Sequence, residues 1–103
     1  MKAILVEKPN VMRIINTEKP QITNSDDVLV RMTAVGICGS DLHIMHGSHP
    51  YVQYPRIIGH EGAGVVEAVG DGVTSLKVGD PVVVEAVEFC GKCYPCRIGR
   101  TNV

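Results

Sequence analysis

Five short runs dense in Val, Ile and Leu, each closed by a turn signal, set the limits on what this chain can become. KAILVE (2–7) and VMRII (11–15) flank Pro9-Asn10 and read as a hairpin. VLVRMTAVGIC (28–38) is a long β-rich run, with Gly36 and Gly39 as candidate bulge or close-approach points. GAGVVEAVG (62–70) and PVVVEAV (81–87) read as two more strands, joined by the turn-rich DGVTSLKVGD. Helix is scarce. SDLHIMHG fits one or two turns, with Ser40 or Asp41 as N-cap and Gly47 as the stop. SHPYVQYPR and the 16 residues from Glu88 read as loop. Short, evenly spaced strands with little helix predict one domain, an all-β barrel or sandwich.

A formal charge of −1 argues against nucleic acid or an anionic membrane as the main partner, because both select for a basic face. No stretch approaches the roughly 20 apolar residues of a membrane span. The start, MKAILVEKP, is too short an apolar run for a signal-peptide core. The expected compartment is the cytoplasm, where the chain's 4 cysteines are metal ligands or free thiols sooner than disulfides.

Three constellations carry chemistry. Cys90-x2-Cys93-x2-Cys96 puts three thiols on a tight loop shaped by Gly91 and Pro95. Few apolar residues hold that loop, so a shared metal ion would supply its stability. A redox pair and an iron–sulfur cluster are the alternatives. Second, His60-Glu61 stands among glycines at a strand start, where both side chains can address one divalent ion; taken alone, a histidine in such a turn is a polar loop residue. Third, Cys38-Gly39-Ser40-Asp41-x-His43 places a thiol before a hydroxyl, a carboxylate and an imidazole. On a helical turn Ser40 and His43 are neighbours at i and i+3 and can relay a proton. The bland reading of that segment is a buried Cys and an N-capping Ser or Asp. The glycines of GHEGAGVVEAVG are no dinucleotide loop: the third glycine is misplaced and no βαβ pattern surrounds them.

Taken in order, these features resemble the zinc-dependent medium-chain dehydrogenases, the alcohol, sorbitol and threonine dehydrogenase family. GHEGAGVVEAVGDGV resembles that family's zinc signature, GICGSDLHIMHG its catalytic-cysteine segment, VGDPVVV its GDxV turn and FCGKCYPC its structural-zinc lobe. The likeness runs over essentially the whole chain. It implies a mainly β, GroES-like, partly open barrel with short helical turns and a Cys-rich zinc lobe.

The resemblance also implies roles. Cys38 and His60 are ligands of a catalytic Zn2+, with Glu61 a nearby or exchanging ligand. Ser40 is the hydroxyl that touches the substrate oxygen, His43 the next relay member and Asp41 a residue behind the ligands. Cys90, Cys93 and Cys96 are ligands of a structural Zn2+. The implied reaction oxidises a secondary alcohol to a carbonyl, by zinc-alkoxide formation and hydride transfer to NAD(P). The loop HIMHGSHPYVQYPR, rich in His and Tyr, favours a polyol or sugar acid as the small-molecule substrate. His46 and His49 are expected at its rim.

The likeness places the lobe's fourth cysteine one residue past Val103. The expectation is therefore a GroES-like catalytic domain over 1–103, with 88–103 a partial structural-zinc lobe and the Rossmann domain of the family absent. Such a chain alone is expected to be inactive and its lobe weakly metallated, while the intact enzyme would be a homo-oligomer. The rival class is a non-enzymatic GroES-like or zinc-binding interaction module, which would not need Cys38 or His60-Glu61.

Overall fold

The structure is a computed structural model and describes residues 1–102. Strands β1 (Lys2–Lys8) and β2 (Val11–Asn16) form the expected hairpin, pairing from Lys2↔Asn16 to Lys8↔Val11. Asn10 turns the chain with φ 63°, a left-handed conformation its short polar side chain tolerates. Strand β3 is Val28–Gly36. Helix α1 (Gly39–His46) follows it and stops at Gly47, whose φ is 77°.

A two-residue strand, β4 (Arg56–Ile57), pairs with the free side of β1 through Leu5↔Ile57 and Val6↔Arg56. This strand lies in what the sequence reads as loop, because two residues are too few to show a period. β5 (Glu61–Val69) and β6 (Pro81–Val83) complete the set of strands, and α2 (Tyr94–Arg97) is a single turn inside the Cys-rich lobe. That turn also departs from the expected loop; Pro95 in its first turn has no N–H to waste there.

The strands make two three-stranded antiparallel sheets, ordered β2-β1-β4 and β3-β5-β6. The fold is mainly β, as expected. β6 ends at Val83 although the apolar run continues to Val87. Val84 still donates its N–H to Gly62 at 2.8 Å. Beyond it the Glu85 carboxylate accepts the N–H of Val87 at 3.1 Å, so a local side-chain bond replaces the ladder.

β3 is launched by a small polar knot. Asp27 accepts the backbone N–H groups of Thr23 and Asn24 at 2.8 and 2.9 Å and the Thr23 hydroxyl at 2.9 Å. Those donors, the Thr23 N–H foremost, hold its carboxyl down to about 2. The interior is narrow. Val6 of β1 and Val66 of β5 are the apolar side chains fully shielded from water among the described residues. Gly64 lies so close to β3 that a Cβ there would stand 2.5 Å from the Arg31 carbonyl oxygen. Gly64 of β5 thus serves the close approach of the two strands.

Candidate metal and catalytic site

Antiparallel pairing of β3 with β5 closes the gap between Cys38 and His60-Glu61. Gly36, the last residue of β3, sits opposite Glu61, the first of β5. Cys38 follows immediately at the start of α1, and His60 precedes Glu61. The ligand atoms of Cys38, His60 and Glu61 all lie within 4.8 Å of one another.

α1 holds two of the three in place. Its N-cap is Cys38, not Ser40 or Asp41 as the sequence reading has it. Asp41 sits one turn in and reaches back, one carboxylate oxygen accepting the Cys38 N–H at 3.0 Å; this shifts the helix start to the cysteine. Asp41 is buried, and its other oxygen, Oδ1, has no hydrogen-bond partner. That oxygen faces His60 Nδ1 at 3.6 Å. A buried, bare carboxylate oxygen is costly. A His60 proton on Nδ1 would point at that oxygen from beyond hydrogen-bond distance and would leave Nε2 free to ligate.

Ser40 stands on that other side, its Oγ 3.4 Å from His60 Nε2. The relay from Ser40 to His43 is not a direct bond. His43 Nδ1 instead meets the Ser48 hydroxyl at 3.1 Å, and that hydroxyl also lies 3.3 Å from the His43 carbonyl oxygen. The i, i+3 spacing puts both residues on one helix face, but Ser40 is drawn to the imidazole of β5 and His43 to the loop after α1. His49 turns back on its own loop, where its Nδ1 accepts the Tyr51 N–H at 3.4 Å.

A sulfur, an imidazole and a carboxylate converging with one side open suit a zinc ion that keeps a position for substrate. The bare Asp41 oxygen behind His60 fits the same reading. Beside the group is a cavity of about 440 Å³, lined in part by Gly36, His60, Glu61, Val84 and Glu85. A second, more apolar cavity of about 430 Å³ reaches His60 between the sheets, past Ile4, Met32, Val35 and Ile57.

The lobe gathers Cys90, Cys93 and Cys96 within the same 4.8 Å limit. The Cys93 and Cys96 sulfurs are 3.3 Å apart, and the Cys93 N–H points at the Cys90 sulfur at 3.3 Å. Backbone N–H groups of Lys92 and Cys93, then the thiols of Cys93 and Cys96, lower the Cys90 thiol to about 7. Three convergent thiols, one already inclined to ionise, suit a soft, thiolate-binding ion. All four cysteines are free. The expected lobe, 88–103, is described through Asn102; Val103 lies outside the described residues.

The sequence reading missed Ser48 as the partner of His43 and the proximity of Glu85. It flagged Gly36 without its reason: a Cβ there would lie 2.6 Å from Glu61 Oε2, whereas a Cβ at Gly39 would meet nothing within 4 Å. Two-residue alternation places Glu85 on the same face as Val83, the one signal that pointed to it.

Comparison with known proteins follows the same lines. Residues 24–103 match the family described as the alcohol dehydrogenase GroES-like domain. The chain is 43% identical to the sorbitol dehydrogenase of Bacillus subtilis (strain 168), over 100% of this chain and 30% of that protein. It is similar to the zinc dependent alcohol dehydrogenase 2 from Streptococcus pneumonia in its apo form, with TM-score 0.83 and 44% identity, over 96% of this chain and 28% of that one. It is also similar to the alcohol dehydrogenase rspB of Escherichia coli CFT073 complexed with NADH, with TM-score 0.81 and 51% identity, over 99% of this chain and 29% of that one. The chain thus spans about 30% of the length of the curated relatives it matches.

Proposed function

The chain belongs to the alcohol dehydrogenase family through its GroES-like domain, and from that premise we propose that it supplies the metal-holding, proton-handling part of a zinc-dependent NAD(P) oxidoreductase. The carrying observation is the convergence of Cys38, His60 and Glu61, backed by the bare Asp41 oxygen. The substrate is a secondary alcohol, a polyol or sugar acid, oxidised to the carbonyl. The sorbitol dehydrogenase likeness supports that class.

Cys38, His60 and Glu61 would hold the catalytic zinc, and Cys90, Cys93 and Cys96 the structural one. Bound there, zinc acts as a Lewis acid that lowers the pKa of a substrate hydroxyl and polarises the product carbonyl. Ser40, whose hydroxyl lies beside His60 Nε2, takes up the hydroxyl proton. His43 passes it to solvent. Because Ser40 and His43 each bond elsewhere, transfer between them would need a bridging hydroxyl or water. Asp41, with its Oδ1 beside His60 Nδ1, keeps the imidazole turned so that Nε2 faces the metal position. A bound nicotinamide would supply the hydride acceptor, and oxidation of the alcohol would remove one proton and one hydride. Among the described residues no strand, glycine loop and helix combine into a dinucleotide site. Our reading has a nicotinamide held outside these residues and the 103 residues inactive by themselves, and it rests on relatives of which this chain spans about 30%.

The test is zinc per chain in the reduced whole protein, by elemental analysis, with Cys38→Ser and Cys93→Ser beside the wild type. Loss of one zinc in each variant, and loss of NAD(P)-dependent polyol oxidation with Cys38→Ser, is the expected result. A whole protein that is zinc-free, or that oxidises simple primary alcohols far better than polyols, would end the corresponding part of the reading.

A further inference from the structure

Gly36 is the last residue of β3 and the ladder partner of Glu61. Its backbone is not in the left-handed region, so nothing conformational asks for glycine there. Space does. A Cβ at position 36 would fall 2.6 Å from Glu61 Oε2 and 3.1 Å from Glu61 Cβ. The Glu61 side chain is folded across the bare face of Gly36, and in that pose its carboxylate lies within 4.8 Å of the Cys38 and His60 ligand atoms. Both residues line the same cavity.

We infer that Gly36 is a positioning residue for Glu61: the missing side chain is the seat that lets this carboxylate join Cys38 and His60. The inference rests on the reading of those three as a metal group. Adding one methyl group unseats the carboxylate. The closest atom is the far end of a flexible, exposed side chain, which swings into solvent, while the Glu61 Cβ at 3.1 Å asks the paired strands to give by a few tenths of an ångström. Gly36→Ala thus changes the ligand set without changing any ligand.

The test uses the metal-stripped protein and Co2+ as the probe, with d–d absorption and affinity read together. Four proteins are compared: wild type, Gly36→Ala, Glu61→Ala and the double variant. The lobe is the same in all four, so differences report the Cys38 site. Gly36→Ala should weaken Co2+ at that site about tenfold, the low end for residues that orient ligands. Its band shift should match that of Glu61→Ala. In the Glu61→Ala background the added methyl should change nothing further, the non-additivity expected of two residues acting through one contact. Wild-type affinity and bands in Gly36→Ala would overturn the inference, as would a full additional loss in the double variant. Cys38→Ser separates the two levels. If it leaves the wild-type Co2+ spectrum unchanged, the metal-group reading fails and the inference falls with it.

Discussion

Asp41 does two things at the residue scale, and they can be pulled apart. One oxygen caps Cys38 and the other faces His60. Asp41→Asn keeps an acceptor for the Cys38 N–H but offers an amide where His60 needs a carboxylate. Zinc affinity at the Cys38 site should fall by about 10–100-fold, with urea stability nearly unchanged. Asp41→Ala also strands the Cys38 N–H, adding about 1–3 kcal/mol of destabilisation. Chelator competition and urea titration on the same samples measure the two effects. That Cys38, His60 and Glu61 belong together was legible from residue chemistry and resemblance, and the structure brings them within 4.8 Å of one another. The partners of Ser40 and His43 were not, because a helical spacing says which residues share a face and not what the next loop offers them.

Among the elements, β3 depends most visibly on one side chain. Asp27 binds four donors ahead of the strand, and these hold its folded carboxyl down to about 2, against about 3.9 in an unfolded chain. A depressed folded value means the contribution is complete above pH ~4 and fades as the pH falls toward ~2. Asp27→Asn should lower the urea midpoint at pH 7 and flatten its acid dependence over that interval. A wild-type slope retained in the variant would show that other carboxylates govern it. The elements themselves show where sequence reading works. The hairpin, β3, α1 and β5 were legible from alternation, turn residues and the Gly47 stop. β4 exists only because β1 has a free edge for it, and β6 is cut short by the Glu85 side chain.

The whole molecule is open. Its accessible surface is 7982 Å², against about 5,700 Å² for a folded monomer of its size. The radius of gyration is 15.9 Å, where about 13 Å is usual. Ile37, Val83 and Tyr94 are each more than 70% exposed. So much uncovered apolar surface favours association. The 103-residue chain in isolation should bind an apolar dye such as ANS and self-associate with rising concentration in sedimentation velocity. A dye-silent monomer at high concentration would contradict that. With so few fully shielded side chains, each matters: Val66→Ala should cost about 1.5–3 kcal/mol. Ile14, 71% exposed on β2, should tolerate alanine within about 0.5 kcal/mol. Urea unfolding of the two variants separates core from surface.

By itself the sequence determined the mainly β class, five of the six described strands, the residue types of the two candidate metal groups and the family. Each of these is carried by local composition, turn chemistry or a contiguous motif. Only the tertiary structure decided that Glu61 rests on Gly36, that an Asp41 oxygen is left bare behind His60 and that Ser40 and His43 part company. Those facts depend on strand register and on how α1 meets β5. Register is a property of two segments at once, and no stretch of either one states it.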